Sequence, residues 1–112
     1  MTAMTTIRLN AEGWTRLSDF YDALLPALRA PSWHGQNLNA LAESLADDDI
    51  NGVHQPLEIL ITNADKVPYD VRALFNGLAD LVSDLRDVEH AQVDLKFEPR
   101  LRFPVRKQVA SS

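Results

Sequence analysis

PSWHGQNLNALAESLAD, residues 31–47, joins a punctuated loop to a helical pattern. Pro31 and Gly35 punctuate a loop that holds Trp33 and His34 between them. Asn37 follows, a residue type whose side chain caps helix starts, and Leu38, Leu41 and Leu45 then fall at i, i+3 and i+7. A helix is therefore expected from about Asn37 to Asp47, with the three leucines on its buried stripe. Upstream, from Gly13 onward, Trp14, Leu17, Tyr21, Leu24, Leu25 and Leu28 also recur at helical spacing. Two helices in succession are thus expected. Pro26 should kink or end the first of them near Leu25, because its ring removes a backbone donor and crowds the preceding turn.

On either side of this helical pair the period changes from 3.6 to 2. Thr5 to Asn10 alternates polar residues with Ile7 and Leu9, the pattern of a half-buried strand. Downstream, a polar connection from Asp47 to Gln55 leads to Pro56 and the β-rich run Leu57 to Ile61. After a turn at Asn63 to Asp65, Val67 to Asp87 carries Val71, Leu74, Phe75, Leu78, Leu81, Val82 and Leu85 at helical periods. Ala91 to Phe97 alternates again through Val93, Leu95 and Phe97. The order β-α-α-β-α-β places helices between successive strands, which favours parallel neighbours joined by right-handed crossovers. The expected fold is α/β and two-layered, a small three-stranded parallel sheet with packed helices. Polar residues alternate in every strand, so one sheet face should stay uncovered. Residues 1–98 are expected to form one domain, and 99–112 a basic, flexible tail.

Charge divides the same way. Residues 1–98 hold sixteen Asp/Glu against seven Lys/Arg, and the last fourteen residues hold four Lys/Arg and no acid. From Ala30 to Asp65 there are six acids and neither Lys nor Arg. Such a one-signed body repels phosphates and acidic membrane surfaces and speeds encounter with a basic protein. The expected partner is accordingly a basic protein, with no direct nucleic acid and no membrane. The chain has no cysteine, its start lacks the pattern of an export signal, and no segment is apolar enough for a span, so the cytoplasm is the expected compartment.

Motifs that carry chemistry are scarce. There is no phosphate-binding glycine loop, and the four glycines are widely scattered. His34, His54 and His90 lie in three different connections without ligand spacing, and Asp47-Asp48-Asp49 lacks the alternation and glycine of a calcium loop. No cofactor, metal or catalytic residue is expected, and the chain reads as a non-enzyme. Recognition is better supported. The helix face opposite the leucines carries Asn39, Ala42, Glu43, Ala46 and Asp47, acids and an amide separated by residues small enough for close approach.

At these residues the chain resembles the barstar family of ribonuclease inhibitors. Ser18-Asp19-Phe20, Leu24, Leu28, Pro31 and then Trp33-His34-Gly35-Gln36-Asn37-Leu38-Asn39-Ala40-Leu41 with Leu45 are similar to the family's helix-loop-helix block. The resemblance implies three parallel strands with packed helices, and an intracellular inhibitor or immunity protein, as in a toxin-antitoxin pair. Such a protein blocks a small basic ribonuclease in a 1:1 complex, as a monomer. It also implies that Glu43 takes the place of a substrate phosphate, and that Trp33, His34, Gly35, Asn37, Asn39, Ala42, Ala46 and Asp47 belong to the contact surface. Three positions depart from the family pattern. Asn39 replaces an acid, Ala42 an aromatic residue and Glu43 the more usual aspartate, which points to a partner with its own complementary pocket. The alternative is an interaction or regulatory domain on the same fold whose partner is not a nuclease.

Overall fold

The computed structural model describes residues 4–47 and 50–103. Its elements are β1 (Thr5–Asn10), α1 (Leu17–Leu28), α2 (Leu38–Ala46), β2 (Leu57–Thr62), α3 (Tyr69–Val88) and β3 (Val93–Glu98). The strands form one sheet in the order β1-β2-β3, with both pairings parallel. Because sheet order follows chain order, right-handed crossovers carry every helix over the same face. Ile7, Ile59 and Leu95 stand in one cross-strand row and Leu9, Ile61 and Phe97 in the next, all turned toward the helices.

The opposite face is polar and neutralises itself. Lys96 Nζ lies 3.0 Å from Glu58 Oε2, and Thr6 Oγ1 donates to Glu58 Oε1 at 3.2 Å. The bond from Lys96 holds the Glu58 carboxyl below its ordinary value, and the same contact raises Lys96. Leu60 is the exception on this face. It is buried between Arg8 and Lys96 in the register, where their aliphatic stems are placed to cover it.

Aromatic packing fixes the helical layer. Phe20 of α1 and Phe75 of α3 are fully buried, and Trp14 meets both rings edge-on at 6.0 and 6.2 Å. Trp14 itself precedes the helix that its spacing suggests. The Asp19 carboxylate accepts from the backbone N–H groups of Thr15 and Arg16 at 2.8 and 3.1 Å, so α1 opens at Leu17. Those two bonds also lower the Asp19 carboxyl.

Pro26 does not end α1, which continues to Leu28. The proline sits in the last turn, and the carbonyl it deprives of a donor belongs to exposed Asp22, where water can serve it. The helix closes instead at Arg29, whose left-handed backbone (φ 55°) lets Arg29 N–H bond Pro26 O and Ala30 N–H bond Leu25 O. Likewise α3 begins at Tyr69 and not at Val67, with Pro68 at its N-cap.

The first residues of the stretch expected to be a loose tail make specific contacts. Phe103 packs on Phe97 at 5.4 Å, Arg72 lies 5.3 Å from the Phe103 ring centroid, and its Nη2 donates to Arg102 O at 2.8 Å. The remainder of that stretch, 104–112, lies outside the described residues, as do Asp48 and Asp49 of the acidic triplet.

Candidate functional site

Between α1 and α2 the chain makes a short turn in which His34 N–H donates to Pro31 O at 3.0 Å. The two rings of this loop part company. Trp33 stands out into solvent, 74% exposed, whereas His34 is buried at 8%. His34 Nδ1–H donates to Gly35 O at 2.8 Å, and Nε2 lies 2.9 Å from Ser44 Oγ, which in turn reaches Leu41 O at 3.1 Å. Both rings are expected on the contact surface from sequence, and the structure turns only Trp33 outward. His34 goes inward because the buried hydroxyl of Ser44 gives its ring a polar partner beneath α2.

Gly35 and Asn37 set the start of α2. Asn37 Oδ1 accepts from Ala40 N–H at 2.7 Å, the expected cap. A Cβ at Gly35 would come within 3.0 Å of Asn37 Nδ2, so the absent side chain leaves room for the capping amide. Asn37→Ala should lower stability by about 1 kcal/mol, the usual worth of an N-cap, in a urea titration followed by circular dichroism.

The leucine stripe of α2 packs as its spacing requires. Leu41, Ser44 and Leu45 are buried, and half-buried Leu38 leans on α3 at Gly77, where an added Cβ would lie 2.9 Å from Leu38 Cδ1. Asn39, Glu43, Ala46 and Asp47 are exposed on the other side, with Ala42 half-buried between the two faces. The connection after α2 bonds the end of α1 and the last turn of α2. Gly52 and Val53 N–H groups bond the Arg29 and Leu28 carbonyls, and Gln55 Nε2 donates to Leu45 O at 2.8 Å. Glu43 therefore projects from a helix fixed at both ends and along its buried side.

Beside this face lies a groove of about 600 Å³ between α2 and α3. Leu38, Ala42, Leu81, Leu85 and Val88 give it an apolar floor, and Asp80, Asp84 and Glu89 stand along it, with no Lys or Arg among the described residues of the lining. These α3 acids lie outside the face that the α2 pattern marks. A signal was present, since Ala73 to Leu85 contains no cation and places Asp80 and Asp84 one turn apart. Among the described residues no group of three or more His, Cys, Asp or Glu can hold a metal ion.

A family model described as Barstar (barnase inhibitor) matches residues 4–100, a span that includes all six elements. The chain belongs to the barstar family. No curated protein matches the sequence. Barstar-family proteins are inhibitors that bind a ribonuclease, and the β-α-α-β-α-β order with its parallel sheet is the architecture expected of one. No helix among the described residues is long and apolar enough to cross a membrane.

Proposed function

We propose that this chain is an intracellular inhibitor, or immunity protein, of a small basic ribonuclease, which it blocks as a 1:1 complex by seating α2 and the Trp33 loop in the active site. One observation carries the reading. The exposed face of α2 presents Glu43 from a rigid backbone beside Asp80, Asp84 and Glu89, which line the adjoining groove. A ribonuclease active site must hold phosphate with Arg, Lys or His groups, and a fixed carboxylate satisfies such groups at little cost in conformational freedom. Glu43 is the phosphate mimic in this reading, and Trp33 supplies a rigid amphipathic contact at the edge. Gly35 and Asn37 shape the loop and helix start. Ala42 and Ala46 let the partner approach, while Asn39 and Asp47 bond at the periphery.

The test is inhibition of a panel of small basic ribonucleases that includes barnase. At least one member should be inhibited at one-to-one stoichiometry, with an association rate that falls as salt rises, since exposed charges act mainly on encounter. Glu43→Ala and Asn39→Ala should both weaken that inhibition. Unchanged affinity in both variants would sink the proposal and favour a partner other than a nuclease.

A further inference from the structure

His34 and Ser44 form a buried polar contact just beneath the recognition surface. Their residues are 8% and 3% exposed, and Nε2 and Oγ lie 2.9 Å apart. Among the described residues, this is the hydrogen bond that joins residues 32–35 to the buried side of α2. Gly35 O can only accept, so its 2.8 Å contact with Nδ1 fixes a proton on that nitrogen and, with it, the orientation of the ring. The other bonds of the turn are local or exposed. His34 N–H reaches back to Pro31 O at 3.0 Å, and Gln36 Nε2 donates to Asp22 Oδ1 at 2.8 Å on the surface.

Trp33 directly precedes His34, and Glu43 directly precedes Ser44. One contact therefore ties the neighbour of the exposed ring to the neighbour of the exposed carboxylate. Trp33 makes no ring contact of its own among the described residues and stands 74% exposed, so its direction is set by the backbone that His34 anchors. Stability alone does not account for a polar pair at this place. Burial strips an imidazole and a hydroxyl of water, and the bond between them only offsets that loss; an apolar pair of the same shape can serve the fold equally well. What the polar pair adds is direction, because a hydrogen bond weakens steeply off its preferred angle.

We propose that His34 and Ser44 are positioning residues for inhibition, whose bond holds the Trp33 loop in register with Glu43 so that the ribonuclease meets both contacts already in place. The inference rests on the inhibitor reading above and adds how its two outward contacts are kept together. Ordering a loose loop on binding would subtract from affinity, and the bond removes that cost before the partner arrives. Ser44 thus acts in recognition through His34, although no partner can touch it.

The test uses the full chain and the panel ribonuclease it inhibits most tightly. His34→Phe with Ser44→Ala keeps a planar ring and a small side chain while removing the bond. This double variant should melt within about 4 °C of the parent, yet inhibit roughly tenfold less tightly. Trp33→Ala should weaken inhibition about tenfold in the parent background and less than about threefold in the double variant, because a ring that is not held in place contributes little. Nitrogen-15 relaxation of the free protein should give the Trp33 amide an order parameter of about 0.85 in the parent and below about 0.6 in the double variant. Should the double variant not fold, Ser44→Ala alone, which removes only the hydroxyl, carries the same comparisons. Inhibition by the double variant within about threefold of the parent, equal Trp33→Ala effects in the two backgrounds, or an unchanged Trp33 order parameter would each overturn the positioning role and leave the inhibitor reading standing. If no panel ribonuclease is inhibited, or Glu43→Ala and Asn39→Ala both inhibit like the parent, the two readings fail together.

Discussion

Replacing Phe75 by alanine is expected to destabilise the fold by about 3–5 kcal/mol, the range for deleting a fully buried aromatic ring. Phe75 is 0% exposed and packs on Trp14, Phe20 and Phe97, at 6.2, 6.5 and 5.1 Å between ring centroids. Those neighbours come from the turn before α1, from α1 and from β3, so one side chain of α3 ties together both ends of the chain. Its removal leaves a cavity that surrounding rings cannot fill by a small shift, because Trp14 and Phe20 are held by each other and Phe97 by Phe103. For a domain whose total stability is of order 5–15 kcal/mol, this loss moves much of the population toward unfolded chain at physiological temperature. Urea unfolding followed by fluorescence and circular dichroism measures it. A loss below about 1 kcal/mol would mean that the site collapses around the gap and that the aromatic cluster is not the centre of the core.

How far the sequence leads depends on the range of the interactions involved. β1 lies where alternation of Ile7 and Leu9 puts it, and α2 begins where Asn37 predicts, because strand period and helix capping are decided by residues a few positions apart. Trp14 fits the helical spacing of α1 yet lies outside it, since Asp19 captures the two N–H groups that would continue the helix backward. Pro26 obeys its local rule, but a closing motif at Arg29 and a solvated carbonyl make its cost small.

At the candidate site the boundary falls between one helix and two. The outward positions of α2 follow from its leucine stripe, whereas the inward turn of His34 depends on Ser44, ten residues away. The groove depends on α2 meeting α3 at Gly77, a contact no period records. Charge was legible at the level of composition, as a cation-free segment from Ala30 to Asp65. It became a surface only when α3 brought a second set of acids alongside it.

Glu43→Lys is expected to weaken inhibition by about three orders of magnitude while leaving stability nearly unchanged. The stability half follows from position. Glu43 is exposed, and among the described residues no hydrogen bond or ion pair holds its carboxylate, so reversing the charge breaks nothing in the fold. The substitution also suits the helix, because lysine and glutamate have similar helical propensity and a cation near the C-terminal end of α2 opposes the dipole's negative pole. The affinity half follows from the partner. Truncating one member of a desolvated charge pair costs about 2–5 kcal/mol, and lysine adds like-charge repulsion against the groups that hold phosphate. Glu43→Gln separates the contributions, since it keeps shape and one acceptor but loses the charge. It should fall between parent and Glu43→Lys, and raising the salt concentration should narrow the gap for the exposed part of the effect. Titration of the ribonuclease with each variant, beside thermal melts of the variants alone, gives both halves. Inhibition by Glu43→Lys within about tenfold of the parent would remove the phosphate-mimic role from this residue. Equal inhibition together with a lowered melting temperature would instead assign Glu43 a structural part that its exposed position does not suggest.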